Sequence, residues 1–166
     1  MAKRTDRVSN PRIGKGSLMA LLLSGIALSA GAMLLLQRPS AAEADILVYK
    51  SPTCGCCNAW VDHLRANGFK VSVQDRLDMA PIKGENGVPL RLQSCHTAQL
   101  GGYVIEGHVP AGDILRLLRE KLPVKGLTVP GMPMGSPGMQ GPASDPYEVL
   151  AFQPDGRTSV FARHNQ

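Results

Sequence analysis

The chain has 166 residues, with 18 Lys and Arg against 13 Asp and Glu, which is room for one domain with appendages. Residues 1–42 hold six of the basic residues and one acid, whereas residues 43–166 hold twelve of each. The formal charge of +5 therefore belongs to the N-terminal segment, and the balanced remainder excludes a nucleic-acid binder, which needs a basic face. All seven aromatic residues lie between Tyr49 and Phe161, so the core is expected there.

Residues 1–15 are basic and polar, residues 16–36 carry no charge, and residues 37–44, QRPSAAEA, bring small side chains. That order is the order of a signal peptide. Residues 1–44 are thus expected to be a signal peptide or, if the apolar run 16–36 is retained, a membrane anchor, since its length suffices to span a bilayer. Either reading places residues 45–166 outside the cytoplasm. All four cysteines, Cys54, Cys56, Cys57 and Cys95, lie in that exported part. Idle thiols there become disulfides, so the four are two bridges, a redox pair with others, or metal ligands.

Residues 45–51, DILVYKS, read as a strand ended by Pro52-Thr53. Cys57, Trp60, Val61 and Leu64 recur at helical spacing before Asn67-Gly68. Residues 69–74, FKVSVQ, alternate as a second strand, and residues 77–86 form a weak helix ending at Gly87. Val88-Pro89 marks a turn or a short helix. Residues 95–100 and 103–108 flank Gly101-Gly102 as a hairpin. Pro110 opens a last helix with Ile114, Leu117, Leu118 and Leu122 as its apolar stripe. The order β-α-β-α-β-β-α is thioredoxin-like, with the first two strands parallel across a helical crossover. Residues 122–142 follow as a Met-, Gly- and Pro-rich stretch in which Gly and Pro exclude a regular helix. Residues 147–152 and 158–162 close the chain as a C-terminal hairpin. Three parts are expected: residues 1–44, a CxCC-bearing domain over 45–123, and the loop and hairpin over 124–166 packed on it.

Cys54-Gly55-Cys56-Cys57 sits where a strand ends and a helix begins. The free N–H groups and dipole of a helix start stabilise thiolate, the form that attacks disulfides and binds metal. Cys54 and Cys57 occupy the redox positions of a C-x-x-C. The third thiol, Cys56, is superfluous for a dithiol oxidoreductase but useful for a soft metal such as Cu(I). Counting back from the turn pairs Leu100 with Tyr103 and Cys95 with His108, about 5 Å apart, so that Cys95, His108 and His96 face the CxCC turn. A competing register makes Val88-Pro89 a cis-proline turn, starts the strand at Leu90 and carries Cys95 away. Met132, Met134 and Met139 lack a helix to bury them, and are candidate soft ligands or a lid; a loop packing its own methionines is the alternative. Trp60 is expected in the core, His63 on the surface, His164 in the tail, and Arg116 on a solvated helix face.

The motifs SPTCGCC at 51–57, SCHTA at 94–98, YVIEGHVPA at 103–111 and PGMPMGSPGM at 130–139, in that order, resemble the CopG-type copper-resistance family over about residues 45–163. The resemblance implies an exported, thioredoxin-like, copper-binding protein. It implicates Cys54, Cys56 and Cys57 first, then Cys95, His96 and His108, then the methionine loop. It also implies a role in copper tolerance through interconversion of Cu(I) and Cu(II), with periplasmic copper-efflux or electron-transfer proteins as partners beside the metal ions.

Three functions stay open: a periplasmic protein holding one or several Cu(I) ions, a thiol–disulfide oxidoreductase with Cys54 attacking and Cys57 resolving, and an interaction domain stapled by zinc or by disulfides, including a Cys56–Cys95 bridge. Cys56 and the methionines favour the first; zinc seldom uses thioethers.

Overall fold

A computed structural model describes residues 45–166. The expected signal peptide or anchor lies outside the described residues. No described helix is long and apolar enough to cross a membrane. In chain order the elements are β1 (Asp45–Lys50), α1 (Gly55–Ala66), β2 (Lys70–Asp75), α2 (Ala80–Glu85), a 3-10 turn (Leu90–Leu92), β3 (Thr97–Leu100), β4 (Tyr103–Glu106), α3 (Ala111–Glu120), β5 (Gly126–Thr128), β6 (Tyr147–Phe152) and β7 (Thr158–His164). They form a mixed α/β fold on one seven-stranded sheet, ordered β2-β1-β3-β4-β5-β6-β7. The β1–β2 and β4–β5 pairs are parallel and the others antiparallel.

α1 forms because Cys57, Trp60, Val61 and Leu64 fall on one stripe, and all four are buried. α3 buries Ile114 and Leu117 in the same cluster, with Ile46, Val48, Ile105 and Leu127 of the sheet. Full burial of a side chain such as Leu64, Ile114 or Leu117 contributes roughly 1.5–3 kcal/mol. Successive residues of a strand face opposite ways. Thus Ile105 joins this cluster, while its neighbour Val104 packs on the other face with Val88, Leu92 and Phe152.

The hairpin register is the one obtained by counting from the turn: Leu100 pairs with Tyr103 and Thr97 with Glu106. The ladder is shorter than expected and stops there, because Gly107 adopts a left-handed conformation at φ 71°. The competing register fails. The described residues contain no cis peptide bond, and Leu90–Leu92 is a 3-10 turn rather than a strand. The helix expected over 77–86 starts only at Ala80, with Pro81 in its first turn. Proline fits a first turn and not a helix interior, and Leu77 is left 94% exposed.

β5 was not expected. Three residues, Gly-Leu-Thr, pair with β4 on one side and β6 on the other, so the C-terminal hairpin continues the main sheet. Gly126 makes the β4–β5 approach feasible, since a Cβ there would lie 1.7 Å from the Val104 carbonyl oxygen. Three side chains have more to do than expected. His63 accepts the Ala111 backbone N–H at 3.1 Å and so caps α3. His164 belongs to β7 and meets Asp113 at 2.7 Å. Arg116 lies 3.7 Å over the Phe161 ring.

Gly126→Ala is expected to unpair β5 from β4 and to cost at least about 3 kcal/mol, the upper range for overpacking. Thermal unfolding would show a lower midpoint, and limited proteolysis would show earlier cutting between β5 and β6.

Candidate metal centre

The ends of β1 and β4 and the entry to β3 lie at one edge of the sheet, because Tyr49 pairs with Thr97 and Thr97 with Glu106. Cys54 leaves β1 and caps α1, its sulfur accepting the Cys57 N–H at 3.3 Å. Cys95 and His96 lead into β3, and His108 follows β4. The four cysteine sulfurs all lie within 4.8 Å of one another, and Cys95 Sγ lies within the same distance of nitrogens of His96 and His108. Cys54 and Cys57 form a disulfide, and Cys56 and Cys95 are free. The Cys56–Cys95 bridge is therefore not made: the C-x-x-C positions on one helical turn pair instead, with their Cα atoms 5.3 Å apart. Cys56 Sγ remains 3.4 Å from Cys54 Sγ.

The histidines form the inner wall. Both are completely buried. His108 Nδ1 lies 2.7 Å from the Pro137 carbonyl oxygen. A carbonyl only accepts, so Nδ1 carries the proton and Nε2 turns a lone pair toward Cys95 Sγ, 3.0 Å away. A carbonyl held this way fixes the tautomer that a metal-binding imidazole needs. His96 sits between the Trp60 ring at 4.3 Å and the His108 ring at 5.0 Å. Its Nδ1 is 3.2 Å from Cys95 Sγ, and its Nε2 has no hydrogen-bond partner. Burial holds both histidines below the usual imidazole range, that of His96 well below it with help from His108 and Lys83. They are neutral, as ligands must be. Burial and the neighbouring Cys56 push the Cys95 thiol up to about 11.

Residues outside the expected donor set hold this wall. The Glu106 carboxylate is buried and accepts from Lys83 Nζ at 2.5 Å, Thr97 Oγ1 at 2.6 Å and the Ser94 N–H at 2.7 Å. Burial pushes this carboxyl up, against the pull of Lys83. Trp60 Nε1 donates to the Val109 carbonyl at 2.9 Å, tying α1 to the segment after His108. A charged residue inside the apolar run YVIEGHV was the one signal of this network in the sequence.

The methionine-rich loop meets the site through its backbone. A Cβ at Gly138 would lie 2.6 Å from the Cys56 carbonyl, 2.9 Å from Trp60 N and 3.3 Å from His108 Nδ1. Met132 is exposed, Met134 packs toward Gly141, and Met139 is half-buried. The sulfur-rich donor set with neutral imidazoles beside it suits soft or borderline metal ions.

Gly138 also has φ 87°. Gly138→Ala is expected to lift Pro137 away from His108, and to cost about 1–3 kcal/mol. The imidazole nitrogen NMR shifts of His108 would report loss of the Nδ1–H tautomer. Unchanged shifts would show that the loop does not set it.

A family model described as "Protein of unknown function, DUF411" matches residues 92–139, which include Cys95, His96, His108 and the methionine loop. Comparison with curated proteins finds no match. Among solved structures, "Copper resistance protein copG- Form 2" is 47% identical over 73% of this chain and 98% of that one, with a TM-score of 0.69. "Copper resistance protein copG- Form 1" is 46% identical over 74% and 98%, also with a TM-score of 0.69. At that identity, across nearly the whole length of those chains, the protein belongs to the CopG copper-resistance family.

Proposed function

We propose that this protein is an exported, periplasmic copper-binding protein of copper tolerance that holds Cu(I) on the sulfurs of Cys54, Cys56, Cys57 and Cys95. The observation that carries this reading is the convergence of four sulfurs within 4.8 Å at one helix start. Thiolates select Cu(I), and ions of low coordination number share bridging sulfurs readily, so a cluster of several Cu(I) ions fits. His96 and His108 stand at its edge as neutral donors, and Met132, Met134 and Met139 are candidate thioethers of the covering loop. The cluster needs the Cys54–Cys57 bridge reduced, which links copper capture to redox state: oxidation of two Cu(I) to Cu(II) supplies the two electrons that, with two protons, open one disulfide, and the reverse closes it. A thioredoxin-like arrangement and an exported location complete the reading, with residues 1–44 as signal peptide or anchor and copper-efflux or electron-transfer proteins as partners.

Anaerobic titration of the reduced full-length protein with Cu(I) against a chelator tests this. More than one copper per chain is expected, with affinity lower by at least about 100-fold in Cys54→Ser, Cys56→Ser or Cys57→Ser, beyond the range for loss of an outer-shell partner. Weak, unsaturable binding would sink the reading. Because the Cys95 thiol is protonated below about 11, capture there expels a proton. Affinity should rise with pH, about tenfold per unit for each proton released. A flat profile from pH 6 to 9 would mean that no cysteine gives up a proton on capture, and would sink thiolate ligation as a whole.

One observation favours a second reading. Cys54 and Cys57 are joined in a disulfide at a helix N-terminus, as in a thiol–disulfide oxidoreductase in which Cys54 attacks and Cys57 resolves. Insulin reduction separates the two: rapid turnover that persists in Cys56→Ser would support the oxidoreductase, and negligible turnover the copper protein.

A further inference from the structure

At the end of the sheet opposite the cysteines lies a cavity of about 390 Å³. It opens where β1 and β3 part. Their ladder stops at Leu47 and Gln99, although β1 begins at Asp45 and β3 runs on to Leu100. Strand residues Asp45, Leu47, Gln99 and Val104 line it, with Asn86 from just after α2 and Lys125 from the approach to β5. We propose that this cavity binds a small zwitterion of the amino-acid or dipeptide class, with the ligand carboxylate held by Lys125 and its ammonium by Asp45. The proposal goes beyond the copper reading and uses none of the metal donors.

Two opposite charges line this one cavity, and neither is committed elsewhere. Lys125 is half-buried, and among the described residues its ammonium has no hydrogen bond and no ion pair. A charge partly withdrawn from water without a counter-charge is costly, and a ligand carboxylate would supply one. The Lys125 backbone is fixed: its N–H donates to the Phe152 carbonyl at 2.8 Å, and its carbonyl accepts the Val104 N–H at 3.0 Å. Asp45 lies 4.0 Å from Lys70 with both side chains largely exposed. Such a surface pair contributes little, so the Asp45 carboxylate is free to take a ligand ammonium. A plain anion would be repelled by Asp45 and a plain cation by Lys125. Only a ligand that carries both charges satisfies both walls, which is discrimination by repulsion as well as attraction.

The rest of the lining is amide and apolar. Gln99 Nε2 donates to Asn86 Oδ1 at 2.7 Å, and Asn86 Nδ2 donates to the Ile82 carbonyl at 2.8 Å. Asn86 is buried, so this chain of bonds fixes both amides. It leaves the Gln99 side-chain carbonyl as an acceptor for ammonium hydrogens. Leu47 and Val104 offer apolar surface to a ligand side chain. Gly101 and Gly102, with φ of 56° and 87°, turn the hairpin at the cavity's end without side chains to fill it. A preformed concavity of about 300–1,000 Å³ with apolar walls and a few placed polar groups is the general form of a small-molecule site.

The test titrates the nitrogen-15-labelled full-length protein with L-leucine and with glycyl-L-leucine. NMR follows the side-chain amides of Asn86 and Gln99 and the backbone amides of Gly101 and Gly102. Saturable shifts at these groups are expected with at least one probe, at a dissociation constant below about 1 mM. N-acetyl-L-leucine lacks the ammonium and L-leucine amide lacks the carboxylate. Each should bind at least about tenfold more weakly than L-leucine, the order of factor carried by a hydrogen bond to a charged group. Lys125→Met should weaken L-leucine by about the same factor and leave L-leucine amide unchanged. Asp45→Asn should weaken L-leucine likewise and leave N-acetyl-L-leucine unchanged. A general folding defect would not give this crossed pattern, and near-ultraviolet circular dichroism of Trp60 checks each variant. Weaker or unsaturable shifts with both probes would overturn the proposal without any variant, and so would capped ligands that bind as tightly as L-leucine. Because none of these residues is a metal donor, the result stands whether or not the reduced protein takes Cu(I).

Discussion

The buried carboxylate of Glu106 is the point on which the site's geometry turns. It accepts from Lys83, Thr97 and the Ser94 backbone at once, and so joins the entry of β3 to the end of β4 and both to α2. Cys95 is the residue after Ser94, and His108 lies two residues beyond Glu106, so the separation of the two ligand-bearing segments follows from this one group. A buried carboxylate without partners would cost several kcal/mol. With three donors it is satisfied, and its contribution is to specify one arrangement of the segments more than to add net stability. Lys50 does the same for the neighbouring edge, its ammonium buried and bonded to Asp75 at 2.8 Å.

Against this fixed wall the CxCC turn is placed by packing. Trp60 and Cys57 lie on the buried stripe of α1, so the helix cannot rotate without opening the core. The same stripe sets Cys54 at the N-cap, where the Cys57 N–H points at its sulfur. The loop between β5 and β6 then covers the junction, its Gly138 fitting between the α1 backbone and His108 because it has no side chain. Two chemistries meet there: a sulfur-rich face from one helix turn and an imidazole face from a hairpin, with Cys95 common to both. Membership of the CopG family and the sulfur-rich face agree in pointing to a soft metal ion.

Local signals were legible where a side-chain period or a turn dipeptide carried them. The stripe of α1, the Gly101-Gly102 turn and the C-terminal hairpin appear close to where the sequence puts them. The Leu100–Tyr103 register needed only the turn length; the expected Cys95–His108 ladder pair is not made, and those two residues meet through their side chains instead. β5 was missed because three residues between glycines and prolines have no period to read, and its strand character comes from the two neighbours that pair with it. His63, His164 and Arg116 were misread because each finds its partner at a distance: Ala111 from His63, Asp113 from His164, and Phe161 from Arg116.

By itself the sequence determined the chemical inventory. Three cysteines at a helix start, Cys-His before one strand and His after the next are covalent facts, and they limit the chemistry to thiol redox, disulfide bridging or a soft or borderline metal whatever the fold. The choice of the Cys54–Cys57 bridge over Cys56–Cys95 was decided by the tertiary structure, as were the burial that keeps both imidazoles neutral and the sharing of Cys95 between two donor sets. These depend on which strands lie side by side and on how much water is excluded between them. Both are properties of contacts between residues remote in the chain, such as Lys83 with Glu106, Trp60 with Val109, and His108 with Pro137, and no local pattern of residues encodes them.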